Sequence, residues 1–321
     1  MNKMKPVLAI DLGGTNIKSA VLLPDGRIIY FKNYPTPADK GPREVVKKIL
    51  FAIRDTLGKT DLEVFRLSGI AIAAAGILDA KNGVVTSSPS LTGWHNVPLR
   101  DMIVGELGVD ICLINDASAA ALGEYRFGAG RGTGNLVYLT VSTGIGGGII
   151  IDGNLYNGTD GCAGEIGHMI IEAEGPQCNC GNFGCLEILA SGTAMANEAK
   201  RRISRNETSC ISEFAGGNSD NITAEIVALA AKQGDSLACE VINRAAYYLG
   251  VGLANVVNIF NPEVIIIGGG VSKMGDMLLR PARKVVKQRA FRLPVRTARI
   301  VRSRLGDKAG IIGAAIYLVG R

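Results

Sequence analysis

Val7-Leu8-Ala9-Ile10-Asp11-Leu12-Gly13-Gly14-Thr15-Asn16-Ile17-Lys18-Ser19-Ala20-Val21-Leu22-Leu23 is the stretch on which the fold turns. An apolar strand over 7–11 meets a tight turn at Leu12-Gly13-Gly14-Thr15, and a second strand over 17–23 closes at Pro24-Asp25-Gly26. The pattern then recurs. Residues 135–141 form an apolar strand, Ser142-Thr143-Gly144-Ile145-Gly146-Gly147-Gly148 a turn, and 149–151 a strand closing at Asp152-Gly153. Two halves that open alike predict two similar α/β domains whose glycine turns face each other across a cleft. Between them, apolar spacing at Val45, Val46, Ile49, Leu50 and Ile53 predicts a helix over 43–57. Strands are expected at 68–75 and 111–114, with a helix over 99–107 between them. In the second half a helix over 237–257 leads to a strand over 263–267 that ends in Gly268-Gly269-Gly270. An apolar helix over 309–319 is expected to pack back on the first domain. The division is therefore drawn as 1–117 plus 305–321 for the smaller domain and 118–304 for the larger.

Composition narrows the possibilities. The chain has 321 residues, 47% hydrophobic and 20% charged, which excludes disorder and suits roughly two domains of about 100–200 residues each. Its 42 glycines are about 13% of the chain against a usual ~7%. Sixteen of them fall within 128–184 without a Gly-X-Y period, a concentration that predicts backbone brought close to a ligand. Residues 1–6 carry Lys3 and Lys5 but no apolar leader, and the longest uncharged stretch, 132–151, holds six glycines. No membrane role is expected. Seven cysteines, three of them within 178–185, point to metal in a reducing cytoplasm rather than to disulfides. The net charge of +6 is concentrated in ten cations with no carboxylate from Arg280 to Arg304. Only Phe291 interleaves as an aromatic and no nucleic-acid motif accompanies the run. It reads as a solvated helix face beside an apolar stripe of Ala282, Val285 and Val286, with no nucleic acid expected as a partner.

Several motifs carry chemistry. Asp11-Leu12-Gly13-Gly14-Thr15 can cradle phosphate oxygens with backbone N–H groups, Thr15 adding a hydroxyl and Asp11 holding hydrated Mg²⁺. Thr143 and Gly144 offer the same chemistry in the second half. Two such turns in duplicated positions are more specific than one, and neither is a Walker loop. Gly268, Gly269 and Gly270 end a buried strand, where a nucleoside could lie against backbone, or where the chain simply needs positive φ. Asp116 reads as the N-cap of a helix that starts there, or as a base accepting the proton of an attacking hydroxyl. His168-x9-Cys178-x-Cys180-x4-Cys185 supplies one imidazole and three thiolates, a closed shell suited to structural Zn²⁺. Gly181 and Gly184 provide the turns of that knuckle. Glu165 and Glu187 bracket it and could accept hydroxyl protons from a sugar. Cys112, Cys162, Cys210 and Cys239 read as small core residues.

Taken together, Asp11–Thr15, Ser88–Trp94, Asn115–Glu124, Ser142–Gly148, Gly164–His168 and Cys178–Glu187 resemble the ROK family of repressors and sugar kinases, within it the bacterial glucokinases. They span most of the chain in the family order. The resemblance implies an actin-like, ribonuclease-H-like two-domain ATPase fold and ATP- and Mg²⁺-dependent phosphorylation of a hexose 6-hydroxyl. It implies Asp116 as the base and Gly76, Ser90, Asn115, Glu165, His168 and Glu187 as sugar ligands, His168 also binding zinc. The turns at Gly13 and Gly144 would hold phosphates and the 268–270 region the adenosine. Ser90 replaces a frequent Asn and Ala75 a frequent Pro before Gly76. Both positions lie near the sugar in relatives, so N-acetylmannosamine and N-acetylglucosamine are alternatives to glucose. Relatives that act as sugar-sensing regulators carry an N-terminal helix-turn-helix. With ten residues ahead of Asp11, none is expected here. Relatives are often dimers or tetramers, so a homo-oligomer is expected.

Overall fold

The computed structural model describes residues 5–320; residues 1–4, with Lys3 of the basic start, and 321 lie outside the described residues. The chain divides into two compact units. One comprises Met1–Gly132, Gly148–Gly164 and Arg304–Arg321, the other Thr133–Gly147 and Glu165–Ser303.

The first unit begins β1 (Val7–Leu12), β2 (Asn16–Leu22), β3 (Ile28–Pro35), α1 (Gly41–Thr60), β4 (Ile70–Ala74), β5 (Ile77–Asp79), β6 (Val84–Ser87), β7 (His95–Val97), α2 (Leu99–Leu107), β8 (Ile111–Asn115) and α3 (Asp116–Phe127). The chain continues as β9 (Leu136–Val141), β10 (Ile145–Ile151), β11 (Asn154–Leu155), α4 (Leu186–Ala190), α5 (Gly192–Ile203), α6 (Ile211–Phe214), α7 (Ala224–Lys232) and α8 (Ser236–Phe260). It ends with β12 (Val264–Gly268), α9 (Asp276–Arg289), α10 (Arg292–Thr297), β13 (Arg299–Arg302) and α11 (Ala309–Val319).

The first sheet has the order β3-β2-β1-β4-β8. Its β1 and β2 form the expected antiparallel hairpin, and β1, β4 and β8 run parallel with Leu12, Ala74 and Asn115 in one row. Alternation along the strands sorts side chains to two faces. Leu8, Ile10, Leu12, Ile70 and Ile72 meet α1 and α2 through Val45, Ile49, Ile53, Leu99 and Ile103. The small Val7, Ala9, Ala71 and Ala73 face Ile311, Ile312 and Ala315 of α11. Small residues also let α11 approach α3 closely: a Cβ at Gly313 would overlap the carbonyl of Ala119, and one at Gly123 that of Ala309. This packing places α11 with the first unit. It also brings the whole of α3 there, of which the sequence division at residue 117 keeps only Asp116 and Ala117. Buried Glu124 adds a tie, accepting from Ala129 N at 2.7 Å and Leu305 N at 2.8 Å.

The second sheet has the order β11-β10-β9-β12-β13, with β12 parallel to both neighbours. The turn expected over 142–148 is shorter: Ser142-Thr143-Gly144 turns, and β10 already begins at Ile145 with Gly146–Gly148 inside it. The reason at Gly148 is close approach, since a Cβ there would lie 2.6 Å from the Ala117 carbonyl and 2.7 Å from Ala121 Cβ. The basic run spreads over α9, α10 and β13. Leu278, Leu279, Ala282, Val285 and Val286 of α9 are buried, while Arg283 donates to the Ile300 carbonyl at 2.9 and 3.0 Å and pairs with Asp276. No helix among the described residues is long and apolar enough to cross a membrane.

Candidate functional site

In the first unit the expected residues gather at the carboxyl ends of β1, β4 and β8, where open α/β sheets place ligands. The turn after β1 closes with Gly13 N donating to Asn16 O at 3.0 Å. Two of its carbonyls are engaged by one residue: Gly13 O accepts from Thr36 Oγ1 at 2.7 Å and Thr15 O from Thr36 N at 3.0 Å. The turn is left to offer N–H groups, the polarity that suits phosphate. Gly14 sits against Ser90, to whose Cβ and carbonyl an added Cβ would come within 2.8 Å, and Ser90 Oγ lies 3.2 Å from Ser88 Oγ. Gly76 has φ +110° and its own wall, since a Cβ would overlap the Ser87 carbonyl.

Helix α3 is not capped by Asp116. Asn115, extended at φ −62° and ψ 142°, is the cap, and its Oδ1 accepts from Ala117 N and Ser118 N at 3.0 Å each. The last residue of β8 still has strand geometry, which is the cap's requirement, so the cap falls one residue earlier. Asn115 Nδ2 donates to Gly76 O at 3.2 Å. With both Oδ1 lone pairs engaged, this amide has one N–H left for a ligand. Asp116 opens the helix as its first acidic residue, its Oδ1 2.9 Å from Ala117 N, where the helix dipole favours the carboxylate.

Sequence reasoning passes over Lys18. The β1–β2 register sets it opposite Asp11, and its Nζ lies 2.7 Å from Asp11 Oδ2. Burial depresses the ammonium's pKa, but Asp11, with Asp307 and Asp116 beyond it, outweighs burial and holds it above the usual range. Hairpin register is the signal that finds it.

In the second unit the turn Ser142–Gly144 closes with Ser142 N donating to Gly144 O at 2.8 Å. Ser142 O and Thr143 O accept from Gly192 N at 2.7 Å and Thr193 N at 3.4 Å, at the start of α5. Thr143 and Gly144 are left to present N–H groups. The glycines after β12 divide. A Cβ at Gly268 would overlap the Tyr138 hydroxyl, and Gly269, at φ +79°, the Val141 carbonyl. These two are required by the unit's own packing. Gly270 is the open one, its nearest neighbours being Glu225 Oε1 and Ser142 Oγ at 3.7 Å.

His168, Cys178, Cys180 and Cys185 converge, with all four ligand atoms within 4.8 Å of one another. Gly181 and Gly184 turn the knuckle with φ +95° and +64°, and Cys178 N donates to Asn182 O at 2.7 Å. Cys180 Sγ lies 3.7 Å from Cys185 Sγ, and Cys178 Sγ 3.8 Å from His168 Nδ1. A tetrahedral site with bonds of about 2.3 Å to sulfur has ligand separations of about 3.8 Å, so the donor set fits a thiophilic dication. Without one, burial and the neighbouring thiols push the Cys185 thiol up to about 12. His168 turns its other nitrogen, Nε2, toward Glu165 Oε2 at 4.0 Å. Burial lifts the Glu165 carboxyl above the usual range, with His168 opposing and Glu187 adding to the rise. Of the four cysteines read as core, Cys112 is buried, Cys210 and Cys239 are half-buried, and Cys162 is exposed. Cys162 lies exposed in the loop after β11, its Sγ 3.6 Å from Asp160 O.

Residues 7–320 match the ROK family. The chain is 38% identical to a glucokinase of Thermotoga maritima over 321 residues, covering 100% of this chain and 99% of that one. It is 35% identical to a xylose repressor of Caldicellulosiruptor bescii over 314 residues, 98% of this chain and 78% of the repressor. Among solved structures, a ROK family glucokinase from Streptomyces griseus in complex with glucose and AMPPNP superposes with a TM-score of 0.87 at 35% identity, covering 98% of this chain and 100% of that one.

Proposed function

The chain belongs to the ROK family, and on that premise we propose that it transfers the γ-phosphate of ATP to the 6-hydroxyl of a hexose, with glucose as the sugar. The observation that carries this reading is the row at the carboxyl ends of β1, β4 and β8, where Asp116 stands at a helix N-terminus in the unit that also holds an N–H-rich turn. Asp116 accepts the 6-hydroxyl proton as the oxygen attacks phosphorus. Such a base need not be strong, because positioning and charge neutralisation dominate phosphoryl transfer. Gly76, Ser90, Asn115, Glu165, His168 and Glu187 are the sugar ligands in this reading, Asn115 through its one remaining N–H. The turn of Gly13, Gly14 and Thr15 and the turn of Thr143 and Gly144 bind phosphates through hydroxyls and the N–H groups that their internal hydrogen bonds leave open. The 268–270 segment takes the adenosine, with Gly270 as the position open to a ligand. Asp11 would hold hydrated Mg²⁺, which when bound shields phosphate charge.

His168, Cys178, Cys180 and Cys185 would hold a structural Zn²⁺, which leaves no open position for water. With Nδ1 toward the metal, His168 keeps Nε2 for a sugar hydroxyl. We read the protein as a cytoplasmic homo-oligomer, dimer or tetramer, with no nucleic-acid or membrane partner. Ser90 and Ala75 favour a second reading in which the acceptor is N-acetylmannosamine or N-acetylglucosamine. The likeness to a repressor supports a third, a sugar-sensing regulator without catalysis. An ADP-release screen across hexoses and phosphate donors tests all three. Turnover on glucose with ATP is expected. Turnover on N-acetylmannosamine but not glucose overturns the sugar, and sugar-dependent stabilisation without ADP release overturns the kinase.

A further inference from the structure

Glu187 stands two residues after Cys185, in the first turn of α4, on the side of the unit assigned to sugar and metal. Its carboxylate is nevertheless bound to the phosphate turn. Ile145 N donates to Glu187 Oε2 at 2.8 Å, and the oxygen lies so close to Gly144 that a Cβ at that position would overlap it. The next peptide is covered too, since a Cβ at Gly167, next to His168, would overlap the Ile145 carbonyl. The turn's remaining ties run to Gly192 and Thr193, which follow α4 directly. Ile145 is thus held between Glu187 and the His168 segment.

We infer that Glu187 is a positioning residue that couples sugar binding to nucleotide binding: Oε2 holds the turn at Ile145 and Gly144, while Oε1, 4.0 Å from Cys178 Sγ, is the oxygen that would accept from a sugar hydroxyl. The inference rests on the kinase reading and deepens it. A hydroxyl that donates to Oε1 fixes the side-chain torsions of Glu187, and the ordering cost of holding the turn is then already met when phosphate arrives. The sign is positive, and by linkage it is reciprocal. Only glycine at 144 lets a carboxylate lie against this backbone. Its two acceptor oxygens let the carboxylate accept from the turn and from a sugar hydroxyl at once.

The test is calorimetric binding of AMPPNP with and without saturating glucose, and of glucose with and without AMPPNP. In the wild-type protein each ligand is expected to tighten the other by the same factor, at least about fivefold. G144A places a methyl group where Oε2 lies and leaves Glu187 itself intact. E187Q keeps the shape but exchanges one acceptor oxygen for an NH₂ donor, so it cannot accept from the turn and from a donating hydroxyl through separate oxygens. In each variant the coupling factor is expected to fall to about 1, and in the double variant to fall no further. E187Q, being isosteric, decides the matter where G144A fails to fold or loses AMPPNP. Wild-type coupling retained in E187Q, or no coupling in the wild-type protein, overturns the inference while the kinase reading stands. Failure of the wild-type protein to bind either ligand overturns the kinase reading itself.

Discussion

The two glycine turns share a sequence character and differ in what holds them. The turn after β1 is held by its own sheet: its neighbour Asp11 is neutralised from the paired strand by Lys18, and two of its carbonyls are satisfied by Thr36. The turn after β9 is held by tertiary ties to Glu187, Gly192 and Thr193, all within eight residues of Cys185 on the metal-type knuckle. A hairpin turn of the first kind depends on strand pairing. One of the second kind depends on whether a separate segment, the one that follows the Cys₃His cluster, is in place. Duplicated motifs therefore do not imply duplicated sensitivity.

The largest effect is expected where the chemistry depends on neither turn. D116N should lower kcat by about 10²–10⁴-fold and leave glucose affinity, measured by calorimetry, near wild type; wild-type turnover would remove Asp116 from the reaction. Metal loss should then separate the turns. In C180S, or after chelation, amide protection at Ile145, Gly192 and Thr193 is expected to collapse in hydrogen exchange while Gly13 keeps its own. Equal loss at both turns would break the comparison. The third test is within the second unit: G269A, at positive φ and against Val141 O, should cost about 2–4 kcal/mol in chemical denaturation. G270A should cost under about 0.5 kcal/mol yet weaken AMPPNP binding. The smallest effect concerns the first turn. K18M should destabilise by about 1 kcal/mol at pH 7. Because the folded ammonium's pKa is raised above 10.5, Lys18 stabilises fully below that pH and the contribution is lost as pH rises through the folded value. Urea midpoints of K18M and wild type should converge above about pH 10.5.

Much of this was legible in the sequence because it is local. Apolar runs located β1, β4, β8, β9 and β12, and the Cys₃His spacing located the knuckle, since a short segment with two glycines can converge its sulfurs without help from elsewhere. The N-cap was misplaced because Asn and Asp side by side are both good caps, and the choice depended on how far β8 stays extended. Gly146–Gly148 looked like turn residues. What decides Gly148 is the close approach of α3, a relation no window of residues displays. The same holds for Gly268 and Gly269, whose need for glycine comes from Tyr138 and Val141 on another strand. Lys18 escaped notice because pairing with Asp11 requires the hairpin register.

The seating of α11 against β1, β4 and α3 has a consequence for biosynthesis. Residues 309–319 leave the ribosome after every element they cover, so Val7, Ala9, Ala71 and Ala73 wait uncovered on one face of the first sheet. The second unit has all its residues by Ser303. It can therefore finish folding while the first, although begun earlier, still exposes an apolar face that invites aggregation. The order of completion is the reverse of the order of synthesis, and a stall before residue 309 would strand the half that was made first.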